Sequence, residues 1–176
     1  MLTDNEILNS AKQTLNIEVE SLKGLIPLLN EDFTNAVKAV FHCRGRLIVS
    51  GIGKSANVAH KIVATLNSTG TPAVFMHAAD AIHGDLGKVQ KKSIVLLISY
   101  SGETEEIIAL IPAFKRLNVT IVALTGVKDS TLASKADIIL DTSVDREACP
   151  LNLAPTTSTM ITMVLGDALA VSLMEL

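Results

Sequence analysis

Residues 4–22 place Ile7, Leu8, Ala11, Leu15, Val19 and Leu22 at mixed three- and four-residue steps, with glutamates and lysines between them. That period predicts an amphipathic helix. A second helix is expected over 31–42. The pattern then changes to short runs rich in isoleucine and valine: RLIVS at 46–50, PAVFM at 72–76, SIVLLIS at 93–99, VTIVALT at 119–125 and ADIILD at 136–141. Each run has strand length and is nearly continuous in its hydrophobicity, as strands covered on both faces are. Helical segments are expected between them at about 55–68, 79–86, 104–117 and 129–135, with a long one over 157–175. The last is apolar on nearly every side, so it must be buried in the core or against another chain. Alternation of strand and helix implies right-handed crossovers. The expected fold class is therefore α/β, a three-layer α-β-α sandwich around a five-stranded parallel sheet.

No repeat, low-complexity tract or linker interrupts this order, so residues 1–176 read as one domain. A chain of this length, with 48% hydrophobic and 19% charged residues, can bury about 70% of its unfolded surface. A net charge of −3, the lack of any Lys/Arg cluster and 3% aromatic residues argue against a nucleic-acid partner. The N-terminal stretch MLTDNEILNSAKQTL lacks the charged-then-apolar order of a signal peptide, and the apolar segment 160–174 is short and carries Asp167. A cytoplasmic protein with no membrane partner is expected. Cys43 and Cys149 lie far apart without ligand spacing and are expected to be reduced thiols.

In open parallel sheets ligands sit beyond the carboxyl ends of the strands. Three loops there are unusual: SGIGKSA at 50–56, SYSGETEE at 99–106 and DTSVDREACPLNLAPTTST at 141–159. They are expected to converge on one site. GKS at 53–55 resembles the tail of a triphosphate loop, but Ile48 stands where that motif needs its first glycine. GIGKSA also fits a dinucleotide loop, yet no acidic residue ends the next strand at Met76-His77, and the first is Asp80. A tight turn that needs small residues is the plainer alternative. In SYSGET, the hydroxyls of Ser99, Ser101 and Thr104 and the small Gly102 precede a helix start, where free N–H groups and the helix dipole suit a phosphate monoester. The same residues can serve only to start the helix. Ser55 and the hydroxyls at 156–159 hold equivalent sheet-edge positions, which favours the phosphate reading.

Taken together, GIGKS, ISYSGETEEI and EACPLNLAPTTSTMITMVLGDALAVSLM resemble the sugar isomerase (SIS) domain, and specifically the arabinose-5-phosphate isomerase family. STGTPAVFMHAADAIHGDLG at 68–87 and LIPAFKRLNV at 110–119 are similar to that family as well, so the resemblance spans nearly all of the chain. It implies a single SIS domain with N-terminal helices and reversible conversion of D-ribulose 5-phosphate to D-arabinose 5-phosphate, for Kdo in lipopolysaccharide or capsule. Such an exchange runs through a cis-enediol and needs a base, a proton route between oxygens and positive charge near the enediolate, but no cofactor. The alternatives are a phosphosugar sensor or an isomerase of another sugar phosphate. A sensor of the transcription-regulator kind needs a basic recognition helix, which 1–45 lacks.

Family correspondence places Lys54, Glu106, Glu147 and His83 in the active site. Lys54 can polarise the carbonyl or hold enediolate charge. Glu106 or Glu147 can be the base, because partial burial raises a carboxylate toward neutrality. Otherwise Glu147 pairs with adjacent Arg146. His83 can shuttle a proton, including across a subunit boundary, or hold a metal. Gly53, Ser55, Ser99, Ser101, Gly102, Thr104, Thr157 and Ser158 are the expected substrate and phosphate contacts. Relatives continue beyond the last helix with a His-Pro-Gly-Gly segment and a pair of CBS modules, whereas this sequence ends at Leu176. The isolated domain is therefore expected to be either impaired or supplied by His83 or a neighbouring protomer. The resemblance also implies a homotetramer.

Overall fold

The computed structural model describes residues 2–176. Helix α1 (Asp4–Leu25) opens on a reciprocal cap in which the Thr3 amide donates to Glu6 Oε2 at 2.7 Å and the Glu6 amide donates back to the Thr3 hydroxyl. A 3-10 turn at Ile26–Leu28, with Pro27 in its first turn, redirects the chain into α2 (Glu31–Phe41). Asn30 caps α2 by accepting from the Asp32 amide at 2.8 Å.

Five strands and five further helices follow in alternation: β1 (Leu47–Gly51), α3 (Lys54–Ser68), β2 (Ala73–His77), α4 (Ala78–Ile82), β3 (Ile94–Ile98), α5 (Glu105–Leu117), β4 (Thr120–Thr125), α6 (Thr131–Lys135), β5 (Ile138–Asp141) and α7 (Thr157–Met174). The strands form one sheet in the order β2-β1-β3-β4-β5, parallel throughout. Leu47 aligns with Ala73 on one side and Ile94 on the other, and Ile94 in turn with Thr120. That register brings the carboxyl ends of the strands to a common edge.

Successive strand residues feed opposite faces of the sheet. Val49, Leu96, Ile98 and Val122 pack with α2, α3 and α7, whereas Ile48, Val95, Leu97 and Ile121 pack with α4, α5 and α6. The molecule is therefore the expected three-layer α/β sandwich, and the apolar runs read from the sequence lie within a residue or two of the strands.

Helix α7 buries Ile161, Leu165, Leu169 and Leu173, each such side chain contributing about 1.5–3 kcal/mol. It is long and apolar enough to cross a membrane by length and composition, yet half of it is buried within the protein. Gly166 lets α7 approach α3 closely, since a Cβ there would come closer than 3.0 Å to Ile62. Beside that contact Lys61 pairs with Asp167, a half-exposed ion pair worth at most about 1 kcal/mol.

Two features depart from the sequence pattern. The helix expected over 79–86 stops at Ile82 because Gly84 turns the backbone to a φ of 138°, and a separate 3-10 turn forms at Asp85–Lys88. The apolar stripe of α1 is left uncovered: Ile7, Leu8, Leu15 and Val19 are 46–61% exposed, and only Leu25 of this helix is buried.

Candidate functional site

Three strand-to-helix loops meet at the carboxyl edge of the sheet and enclose a cavity of about 480 Å³. That volume lies within the usual range for small-molecule sites, about 300–1,000 Å³. The first loop leaves β1 at Gly51 and turns through Gly53, which caps α3. Lys54 and Ser55 open that helix and line the cavity, Lys54 exposed and Ser55 half-buried.

The second loop joins β3 to α5. The buried Ser99 hydroxyl bonds with that of Thr104 at 2.7 Å and accepts from the Gly102 amide at 3.1 Å. Gly102 sits at a φ of 66°, and a Cβ there would collide with the Ser130 side chain. The Ser101 hydroxyl accepts from the Glu103 amide, and Glu103 reaches across to accept from the Thr131 amide at 2.6 Å. Thr104, at the cap position of α5, makes no side-chain bond to that helix. Its hydroxyl is directed to Ser99 instead.

The third loop runs from β5 to α7 and carries Glu147. Its Oε2 accepts from the Thr156 amide at 2.7 Å, the Thr156 hydroxyl at 3.0 Å and the Ser158 amide at 3.3 Å, while Oε1 accepts from the Ser158 hydroxyl. Asn152 accepts from the Glu147 amide at 2.8 Å and so braces the loop from inside. The carboxylate therefore sits at the start of an 18-residue helix, where negative charge is favoured. Burial pushes its pKa up, but the donors from Ser158 and Thr156 together outweigh burial and hold it below the usual glutamate value. The expectation that burial raises Glu147 toward neutrality is thus corrected by the helix N-terminus it caps. Among the described residues no ion pair joins it to Arg146, the other partner weighed from the sequence.

Of the residues singled out in the sequence, Lys54, Ser55, Glu147 and Ser158 share the cavity wall. Ser99, Ser101, Gly102 and Thr104 stand in the adjoining loop, outside the lining, as does Gly53. Thr157 is fully buried and accepts from the Ala148 amide at 2.9 Å. Glu106, half-buried in the first turn of α5, and His83, exposed at the end of α4, do not line it. Among the described residues no three His, Cys, Asp or Glu side chains gather as a metal site, at His83 or elsewhere. The sequence reading passed over Tyr100, Asn152 and Arg146 as cavity residues. The signal for Arg146 and Asn152 was their closeness in sequence to Glu147.

Residues 40–172 match the SIS domain family model. The chain belongs to the SIS domain family. It is 48% identical over 170 residues to arabinose 5-phosphate isomerase KdsD of Pseudomonas aeruginosa, a match that takes in 97% of this chain and 52% of the relative. It is 46% identical over 169 residues to arabinose 5-phosphate isomerase GutQ of Escherichia coli K12, which covers 96% of this chain and 53% of that protein. This SIS chain thus spans about half the length of the curated relatives it matches. A protein of E. coli CFT073 solved in complex with arabinose 5-phosphate superposes with a TM-score of 0.95 at 37% identity, covering 99% of this chain and 93% of the other.

Proposed function

We propose that this SIS domain, residues 1–176, interconverts D-ribulose 5-phosphate and D-arabinose 5-phosphate through a cis-enediol, in the service of Kdo for lipopolysaccharide or capsule. The observation that carries this reading is the cavity itself: the amine of Lys54 and the carboxylate of Glu147 line it together with Ser55 and Ser158. Relatives named for arabinose 5-phosphate isomerisation, and the sugar-phosphate complex of a similar fold, support it.

In the forward direction a base removes a proton from C1 of the ketose and the proton returns at C2, while the hydroxyl proton passes from O1 to O2. Lys54, as a compact cation with three donors, stabilises negative charge on those oxygens as it develops. Of the two glutamates, Glu147 alone lies in the cavity wall, where its ionised carboxylate can take up a proton, although the bonds from Thr156 and Ser158 that lower its pKa also make it a weaker base. Ser55 and the loop of Ser99, Ser101 and Thr104, at the start of α5, take the phosphate. Glu106, in the first turn of α5, remains a second candidate base, and the exposed His83 would reach a site across a subunit boundary in a homotetramer that also covers the apolar stripe of α1. The chemistry moves protons only and uses no redox cofactor. We place the protein in the cytoplasm, where sugar phosphates reside. A sensor would not need both a lysine and a carboxylate in the cavity lining.

Running the reaction in deuterated water tests the proposal. The expected product is arabinose 5-phosphate carrying solvent deuterium at C2. Absence of that product would overturn the proposed activity, and product wholly free of deuterium at C2 would favour direct transfer of hydrogen from C1 to C2 over a solvent-exchanging base.

A further inference from the structure

Tyr100, the chain's single tyrosine, stands between Ser99 and Ser101. Its backbone is pinned, since its carbonyl accepts from the Gly126 amide at 2.9 Å and from the Thr125 hydroxyl at 3.1 Å. Its side chain spans from this loop to the one that carries Glu147. There the hydroxyl donates to the Val144 carbonyl at 3.5 Å and accepts from the Val144 amide at 3.4 Å. Both contacts are long, so the tether is weak. The packing of the ring is tighter: a Cβ on Gly126 would come closer than 3.0 Å to three ring carbons. Tyr100 lines the cavity and Gly126 does not, so the ring stands between the Gly126 backbone and the ligand space.

We infer that Tyr100, backed by Gly126, is a specificity wall that limits the length of the sugar phosphate, favouring a five-carbon over a six-carbon chain. The inference rests on the sugar-phosphate reading of this cavity. If the ring were cut back to a serine, the cavity would extend to a backbone that bears no side chain to refill it. A wall that excludes one extra carbon discriminates by about 10–200-fold. Adding a methyl group to Gly126 pushes the ring the other way, into the cavity, so the two changes act with opposite sign. A residue serving the fold alone would move both ligands together.

The test is calorimetric titration of the full chain with arabinitol 5-phosphate and glucitol 6-phosphate, open-chain analogues that cannot isomerise, so binding is read independently of turnover. Wild-type protein and Y100F are expected to prefer the five-carbon ligand by about tenfold or more. Y100S is expected to lose about tenfold of that preference by gaining affinity for the six-carbon ligand, and G126A to weaken both ligands, the longer one more. An unchanged preference in Y100S, or equal losses for both ligands, overturns the inference. If Y100S does not fold, an unchanged preference in G126A overturns it in the same way. Wild-type protein that binds neither analogue would overturn the sugar-phosphate reading itself, a failure visible before any variant is made.

Discussion

Replacing Glu147 by glutamine keeps the side-chain shape and removes the charge from the start of α7. The carboxylate accepts from two amides and two hydroxyls, belonging to Thr156 and Ser158. Glutamine has one acceptor oxygen, and its NH2 group would be turned toward donors. Hydrogen bonds to a charged group contribute about 1.5–3 kcal/mol each, and a charge at a helix start about 0.3–1 kcal/mol. Solvent screens part of this, because Glu147 is only partly buried. The expected net loss is about 1–3 kcal/mol at neutral pH, which lowers the melting temperature of a chain this size by about 3–10 °C. The pH dependence has a definite sign. The folded pKa lies below the unfolded value, so the stabilisation is complete above about pH 4.3 and is lost as pH falls through the folded value. Circular-dichroism melts of both proteins at neutral pH and near pH 3 read this directly: the gap should be present at neutral pH and shrink in acid. Equal melting temperatures at neutral pH, or a gap that does not change with pH, would refute the capping argument.

Other outcomes follow from the same geometry. Lys54→Ala should leave the melt unchanged and lower turnover by about 10²-fold or more, measured by steady-state isomerisation. Unchanged turnover would remove Lys54 from the mechanism. Gly102→Ala, forced into a left-handed conformation against Ser130, should cost about 1–3 kcal/mol by urea denaturation. Gly166→Ala should cost about 1–3 kcal/mol by overpacking Ile62, and Ile62→Val in the same chain should recover part of it. Backbone amides, that of Ala154 first, then those of Leu153 and Leu151, hold the Cys149 thiol below its ordinary range. Its alkylation by iodoacetamide should therefore have a pH midpoint below about 8.5, seen by mass spectrometry.

The strands were legible because each is a near-continuous run of isoleucine, valine and leucine covered on both faces, and alternation with helices determines the layering. The loops that would meet were legible for the same reason, since parallel strands bring their carboxyl ends to one edge. Contacts made across distance in the chain were not. Nothing local in EACPL shows that Glu147 caps a helix beginning ten residues later, and the composition alone suggested the opposite pKa shift. Gly84 looked like part of a helix because a positive φ leaves no trace in hydrophobic period. Tyr100 gained a meaning only once Gly126, on the next strand's loop, was found behind its ring. His83 and Glu106 were picked by correspondence with relatives, and the single chain leaves them outside the cavity wall.

We propose that the cavity lined by Lys54 and Glu147 isomerises a pentose phosphate. The most direct measurement follows D-ribulose 5-phosphate by NMR in the presence of purified protein and no added cofactor. Arabinose 5-phosphate should appear, and K54A should slow its appearance by about 10²-fold or more. Ribulose 5-phosphate left unchanged would contradict the isomerase reading, and its failure to protect the protein against thermal unfolding would contradict sugar-phosphate binding as well.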